Sequence, residues 1–291
     1  MTRLEVASLG YAAAEAIPLF HILSGGSVMR VVVFSKTSYS AENCDNFSDL
    51  GEVYRLSAEG PSLKSLNSQD ILKVAERWKV SGLVFDVIKP MKELGELTKD
   101  IRSRELKVGI KTPSLETLEG LDFLAIDYLK HCHSGYTYSG LDLDRTLRLA
   151  KELGQWVEVN TYLERPRVED VLGEAEVTAS YGFPLHVHLL EHEGGGAVRY
   201  LYNSLLRVNP YTYVHVDLYE QLNTYCPRCG SPVAYREGSA LRSLELKDGT
   251  RCWKCGFELP FHYVISKKTS AQLLALSGGG TRWYDPRAVI I

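Results

Sequence analysis

From Val28 to Tyr219 short apolar runs alternate with amphipathic ones, and this alternation constrains the fold more than any other feature. The runs "VMRVVVFS", "GLVFDVI", "KVGIKT", "LDFLAIDYL", "QWVEVNTYL", "PLHVHLL" and "YTYVHVDLY" read as strands. Between them, "SQDILKVAERWKV", "PMKELGELTKDIRSREL", "LDLDRTLRLAKELG", "RVEDVLGEAEVTASYG" and "GAVRYLYNSLLRV" read as helices. Ser68 and Pro90 suit helix starts, and Gly154 and Gly182 suit helix ends. Strands alternating with helices demand parallel βαβ units. About seven strands predict an α/β fold, a partial or complete (β/α) TIM-type barrel, over residues 28–219. A doubly wound sheet is the alternative, but no G-x-G-x-x-G follows the first strand. Residues 1–27 read as an N-terminal segment, and residues 265–291 as a tail without clear period.

The composition changes at Gln221. Residues 220–264 carry Cys226-Pro-Arg-Cys229 and Cys252-Trp-Lys-Cys255, with Gly230 and Gly256 after the two pairs. A two-residue gap lets both sulfurs of a pair reach one ion, and four thiolates satisfy tetrahedral zinc. The spacing predicts a zinc ribbon holding one structural zinc through Cys226, Cys229, Cys252 and Cys255, with iron as the lesser possibility. Loss of a ligand is expected to unfold this segment and leave the barrel folded.

The remaining cysteines, Cys44 and Cys132, do not suggest a disulfide scaffold. A formal net charge of −3 gives no footprint for broad nucleic-acid binding. No apolar stretch approaches the roughly 18 residues of a membrane span. Glu5 and Glu15 interrupt the apolar start, which is unlike a signal peptide. The expectation is a cytoplasmic protein.

Inside the barrel, His186 and His188 share one strand face by the two-residue period, as do His215 and Asp217 on the next strand. Glu158 lies on the strand before. These groups are candidates for a metal or acid–base site, or for polar barrel residues hydrogen-bonded to one another. Gly194–Gly196 before a helix read as a flexible turn rather than a phosphate cradle, since no P-loop Lys-Ser/Thr follows. Asp142 and Asp144 read as helix-start charges.

The order of barrel, paired-cysteine ribbon and tail resembles the radical S-adenosylmethionine proteins of the AmmeMemoRadiSam group, relatives of pyruvate formate-lyase activating enzyme. The matching stretches are "PLFH" (Pro18–His21) with Gly25, "LDFLAIDYLK" with Asp127 and Lys130, "QWVEVNTYL" with Glu158, "PLHVHLL" with His186, and "TYCPRCG…REG…RCWKCG…LP" with Arg236. The resemblance implies a three-cysteine CxxxCxxC loop holding a four-iron cluster after the first strand. Those positions fall on Lys36, Ser40 and Asn43, with Cys44 one place beyond. The family's Asn-Glu-Pro reads Ile88-Lys89-Pro90. Three thiolates are needed for such a cluster, so none is expected here.

Three functions follow. The first is a non-catalytic scaffold or regulatory partner of another protein. The second is an enzyme with repurposed chemistry on Glu158, His186, His188 and His215. The third is a nucleic-acid-associated protein that docks through the ribbon, with Arg228, Arg236, Arg242, Arg251 and Lys254 nearby.

Overall fold

The computed structural model describes residues 2–35, 48–60, 62–88, 92–102, 106–113, 119–130, 141–190, 195–216, 222–238, 240–265, 269–276 and 280–289. Lys36, Ser40, Asn43, Cys44, Lys89, Pro90, Cys132, Gly194 and Asp217 lie outside the described residues.

The chain opens with β1 (Arg3–Ala13), which runs antiparallel to β2 (Ser27–Val33). Next come α1 (Ser48–Glu59), β3 (Lys64–Asn67) on the other edge of β1, and α2 (Ser68–Trp78). A regular series follows: β4 (Gly82–Asp86), α3 (Lys92–Arg102), β5 (Lys107–Thr112), β6 (Phe123–Tyr128), α4 (Leu143–Glu152), β7 (Trp156–Leu163), α5 (Val168–Tyr181), β8 (Leu185–Leu189), α6 (Gly195–Leu206) and β9 (Thr212–His215). The cysteine-rich segment forms β10 (Thr224–Tyr225), β11 (Pro232–Glu237) and β12 (Ala240–Leu244) in one small sheet, and β13 (Leu246–Lys247) with β14 (Arg251–Cys252) in another. The tail adds α7 (Ser270–Leu276) and β15 (Arg282–Tyr284), which pairs antiparallel with β1.

The main sheet has the order β15-β1-β2-β4-β5-β6-β7-β8-β9. From β2 to β9 the neighbours are parallel and follow chain order. Right-handed crossovers repeated in one direction place their helices on a single face. Side chains of α2 to α6, among them Ile71, Leu97, Leu147, Val171 and Leu201, accordingly pack against the outward strand residues Val31, Phe85, Val108, Val159 and Val187. The result is a mixed α/β fold around a mostly parallel sheet, and among the described residues β9 pairs with no strand beyond β8, so the expected closure into a barrel is not seen.

The even-numbered residues of β2, β4, β7 and β8, with the odd-numbered ones of β5, β6 and β9, face inward. The segment after β1 covers the N-terminal end of this inner face. Ile17, Leu19, Ile22 and Leu23 pack on Val28, Val84, Phe123 and Ala125. Gly109 lies beside Phe123, and a Cβ there would stand 2.1 Å from its ring. The C-terminal end is covered by α1. Leu50 and Tyr54 pack against Ile88, Leu129 and Tyr162, and Val53 and Leu56 against Ala7 and Val32.

Several sequence expectations change in detail. The sheet begins at Arg3 rather than Val28, because the 1–27 segment contributes β1. The cap of α2 is Asn67, one residue before Ser68. Its side chain accepts from the Asp70 amide, and the Asp70 carboxylate accepts in return from the Asn67 amide. The tail is tied down by α7 and β15. Asp142 caps α4 by accepting from the Arg145 amide, as its position suggests.

Candidate functional site

The four cysteines come together. Each pair sits in a tight turn whose glycine has a positive φ, 67° at Gly230 and 70° at Gly256. The turns repeat one pattern. The Cys226 amide donates to the Ser231 carbonyl and the Gly230 amide to the Cys226 carbonyl; the Cys252 amide donates to the Phe257 carbonyl and the Gly256 amide to the Cys252 carbonyl. All four sulfurs lie within 4.8 Å of one another. Cys226 and Cys255 are 3.6 Å apart and Cys229 and Cys252 3.7 Å. A tetrahedron of metal–sulfur bonds of about 2.3 Å separates sulfurs by about 3.8 Å. The set could therefore hold one metal ion.

The four arginines of the cysteine-rich segment each have a partner within the chain. Arg236 is buried and turned into the barrel. Arg242 pairs with Glu237, Arg251 lies 3.9 Å from Asp248, and Arg228 covers the Phe257 ring at 4.7 Å.

The candidate barrel residues converge on the inner face, as their two-residue period implies. Register places His186 beside Asn160 and Tyr213, and His188 beside Tyr162 and His215. The Glu158 carboxylate meets His186 Nε2 at 2.8 Å, and His186 Nδ1 meets His215 Nε2 at 3.0 Å. His188 Nε2 lies 3.1 Å from Asn160 Oδ1. Tyr162, His188 and His215 stack, with centroids 4.8 Å and 4.2 Å apart. Burial holds the imidazoles of His186, His188 and His215 well below the ordinary histidine range. Burial thus favours their neutral form.

Neutral imidazoles in series have a direction. Glu158 Oε1 accepts from the His21 amide at 2.7 Å and from Trp156 Nε1 at 3.3 Å, which leaves Oε2 for His186. Burial raises the Glu158 carboxyl, and the His21 contacts oppose that rise. With Glu158 ionised, His186 donates from Nε2 and accepts at Nδ1 from His215 Nε2. His215 Nδ1 is then a lone pair at the C-terminal end of the barrel, able to take a proton.

The other half of the inner face carries groups that the sequence reading passed over. Arg30 is fully buried. It makes two bonds of 2.9 and 2.7 Å to Asp86, pairs with Asp49 of α1, and bonds Thr281 at 2.8 Å. Burial opposes its charge, and Asp49 and Asp86 more than offset that, raising its pKa. Lys111 donates to Asp127 at 2.6 Å, and Tyr162 donates to the other oxygen of Asp127 at 2.7 Å. Lys130, matched with Asp127 in the family pattern, instead reaches Glu174 of α5 at 3.3 Å. The available signal was one charge inside each apolar run, on alternate positions: Arg30 in "VMRVVVFS", Asp86 in "GLVFDVI" and Lys111 in "KVGIKT".

No protein-family model matches the chain. No curated protein matches it. Among solved structures it is similar to Streptococcus suis SuiB bound to S-adenosylmethionine, at 12% identity and a TM-score of 0.38 over 53% of this chain and 45% of that one. It is similar also to SuiB bound to precursor peptide SuiA, at 12% identity and a TM-score of 0.39 over 55% of this chain. The matched part spans less than half the length of SuiB. No described helix is long and apolar enough to cross a membrane.

Proposed function

We propose that the chain is a zinc-bearing, radical-SAM-like barrel protein that does not cleave S-adenosylmethionine and serves as a scaffold or regulatory partner of another protein. The observation that carries this reading is the place of α1. Leu50 and Tyr54 pack on Ile88, Leu129 and Tyr162, and Asp49 engages Arg30, at the barrel end where a cofactor would lie. The sequence agrees, for its six cysteines contain no CxxxCxxC. The metal is assigned as zinc from the four-thiolate donor set. Unbonded cysteines suited to a metal favour a reducing compartment, consistent with the cytoplasm. Anaerobic reconstitution with iron, sulfide and S-adenosylmethionine tests the reading. One zinc per chain and no 5′-deoxyadenosine is the expected result. Uptake of four irons with 5′-deoxyadenosine formed on reduction overturns it.

A second reading is favoured by the Glu158–His186–His215 chain, whose outer imidazole suits a general base. Under it the barrel end binds a small ligand. A thermal shift from a panel of small carboxylates and phosphates, lost in His215→Asn, supports that reading over the scaffold. Docking on nucleic acid through the ribbon is the least supported of the three, because Arg228, Arg236, Arg242 and Arg251 already have partners within the chain.

A further inference from the structure

We infer that the metal in the four-cysteine site sets the geometry of the barrel's buried imidazoles, with Arg236, Thr224 and Tyr213 as the positioning residues between them. The inference rests on that site holding a metal, and it goes beyond the assignment of a local structural zinc.

The link is continuous in hydrogen bonds. Thr224 stands two residues before Cys226, in β10. Arg236 of β11 donates from Nη1 to the Leu222 carbonyl at 2.8 Å and to Thr224 Oγ1 at 2.9 Å, and from Nη2 to the Phe20 carbonyl at 2.9 Å. Its guanidinium lies 4.0 Å from the centroid of Phe20. Thr224 Oγ1 and Tyr213 OH are 2.7 Å apart, and Tyr213 OH and His21 Nε2 are 2.6 Å apart. His21 Nδ1 faces the Pro260 carbonyl at 3.1 Å.

One assignment of protons satisfies the whole set. A carbonyl only accepts, so His21 carries its proton on Nδ1 and accepts at Nε2. Tyr213 therefore donates to His21, Thr224 donates to Tyr213, and Arg236 donates to Thr224. The His21 imidazole is neutral in this scheme, and burial lowers its pKa to about 3.

The same segment of backbone is strapped from the ribbon side. The His262 amide donates to the His21 carbonyl at 2.7 Å, the Leu23 amide to the His262 carbonyl at 3.0 Å, and the Ile265 amide to the Ser24 carbonyl at 2.9 Å. The His21 amide, fixed in this way, donates to Glu158, and Glu158 holds His186, which holds His215. Among the described residues Arg236 touches no carboxylate. A guanidinium keeps its proton, and the buried carboxylates facing it, Glu158 and Glu15, are its counter-charges. Withdrawing Arg236 thus removes both a strap and the charge that favours ionised Glu158. The relay then loses its fixed direction.

Histidine-selective 15N NMR on the full chain tests this, with metal content measured alongside. In the metal-loaded protein His21, His186 and His215 are expected to give the separate Nδ1 and Nε2 signals of single neutral tautomers. Chelation should collapse those of His186 and His215 toward averaged positions, and readdition of zinc should restore them. Arg236→Met should do the same with metal still bound. Thr224→Val, a milder change, should move the His21 ring signals first. Unchanged His186 and His215 signals after verified metal loss, or in Arg236→Met, overturn the inference. A chain that binds no metal defeats the metal assignment and with it the metal's role here. Should Arg236→Met fail to fold, unchanged His21 signals in Thr224→Val overturn the link.

Discussion

Strands β2 to β6 and strands β7 to β9 fill one inner face with different chemistry. On the first side the polar groups are charged and touch their counter-charges: Arg30 with Asp86 and Asp49, Lys111 with Asp127. On the second side neutral rings are joined end to end from a single buried carboxylate, Glu158, and the cation facing it, Arg236, comes from the four-cysteine segment and, among the described residues, touches no carboxylate. Contact pairs are self-sufficient but rigid, since removing one member strands the other in a low-dielectric interior. A chain of neutral rings costs little charge burial. Its order depends on what fixes each ring's proton. The first side suits anchoring α1, and the second suits responding to a neighbour.

Metal removal should separate the sides most sharply. A structural zinc contributes on the order of 10 kcal/mol of folding free energy in small domains. Chelation is expected to unfold β10 to β14 and to loosen the Phe20–Ser24 strap, while hydrogen exchange of β4 and β5 amides stays slow. Equal loss of protection in β5 and β8 breaks the comparison. The sequence-based expectation that loss of a ligand leaves the barrel folded is tested most closely at its floor, where Phe20 and Tyr213 pack with Leu222 and Val233 of the four-cysteine segment.

Arg30→Met is the matching test on the charged side. It leaves Asp86 and Asp49 without their cation and should cost about 3–5 kcal/mol in urea unfolding, with the histidine NMR signals unmoved. The double variant Arg30→Met with Asp86→Leu should recover part of that loss. A strictly additive double variant would show that the pair is not coupled.

Acid should act on the imidazole side. Burial lowers the pKa of His21, His186, His188 and His215, so the unfolded chain takes up their protons first. Their contribution is full above about pH 6.5 and is lost as the pH falls below it, by up to about 1.4 kcal/mol per pH unit for each group. Glu15 and Glu158 are raised by burial and work in the opposite sense, gaining stability as the pH falls through their raised values. Stability measured from pH 7 to 5 should therefore fall, and His186→Asn should flatten the slope. The smallest effect is expected from His188→Leu. It removes one bond to Asn160 and should cost about 1–2 kcal/mol by thermal unfolding.

The sequence made one side legible and hid the other. Glu158, His186 and His215 were visible because a two-residue period puts them on one strand face, and parallel neighbours bring such faces together. The cysteine pairs were visible because ligand spacing is local. Helix α1, over which the sequence reading placed no element, has an apolar stripe, Leu50, Val53, Tyr54 and Leu56, that says which face is buried and not against what. The same stripe would serve a helix on the outer face. Strand β1 was missed because its partners, β2, β3 and β15, are joined by antiparallel pairings that the βαβ rhythm does not announce. Arg236 was noted from its motif and grouped with the basic residues near the ribbon, since nothing in one sequence distinguishes an exposed arginine from one turned inward.

The pairing of β15 with β1 has a consequence for the order of events during synthesis. Leu9, Gly10 and Tyr11 wait for Tyr284, Trp283 and Arg282. Until those residues leave the ribosome, one margin of the growing sheet offers unpaired amides and carbonyls to any passing chain. The contact spans nearly the whole polypeptide, and such distant closures form slowly. The growing sheet thus keeps an unpaired margin until a three-residue strand arrives, and such margins are open to misassociation while they wait.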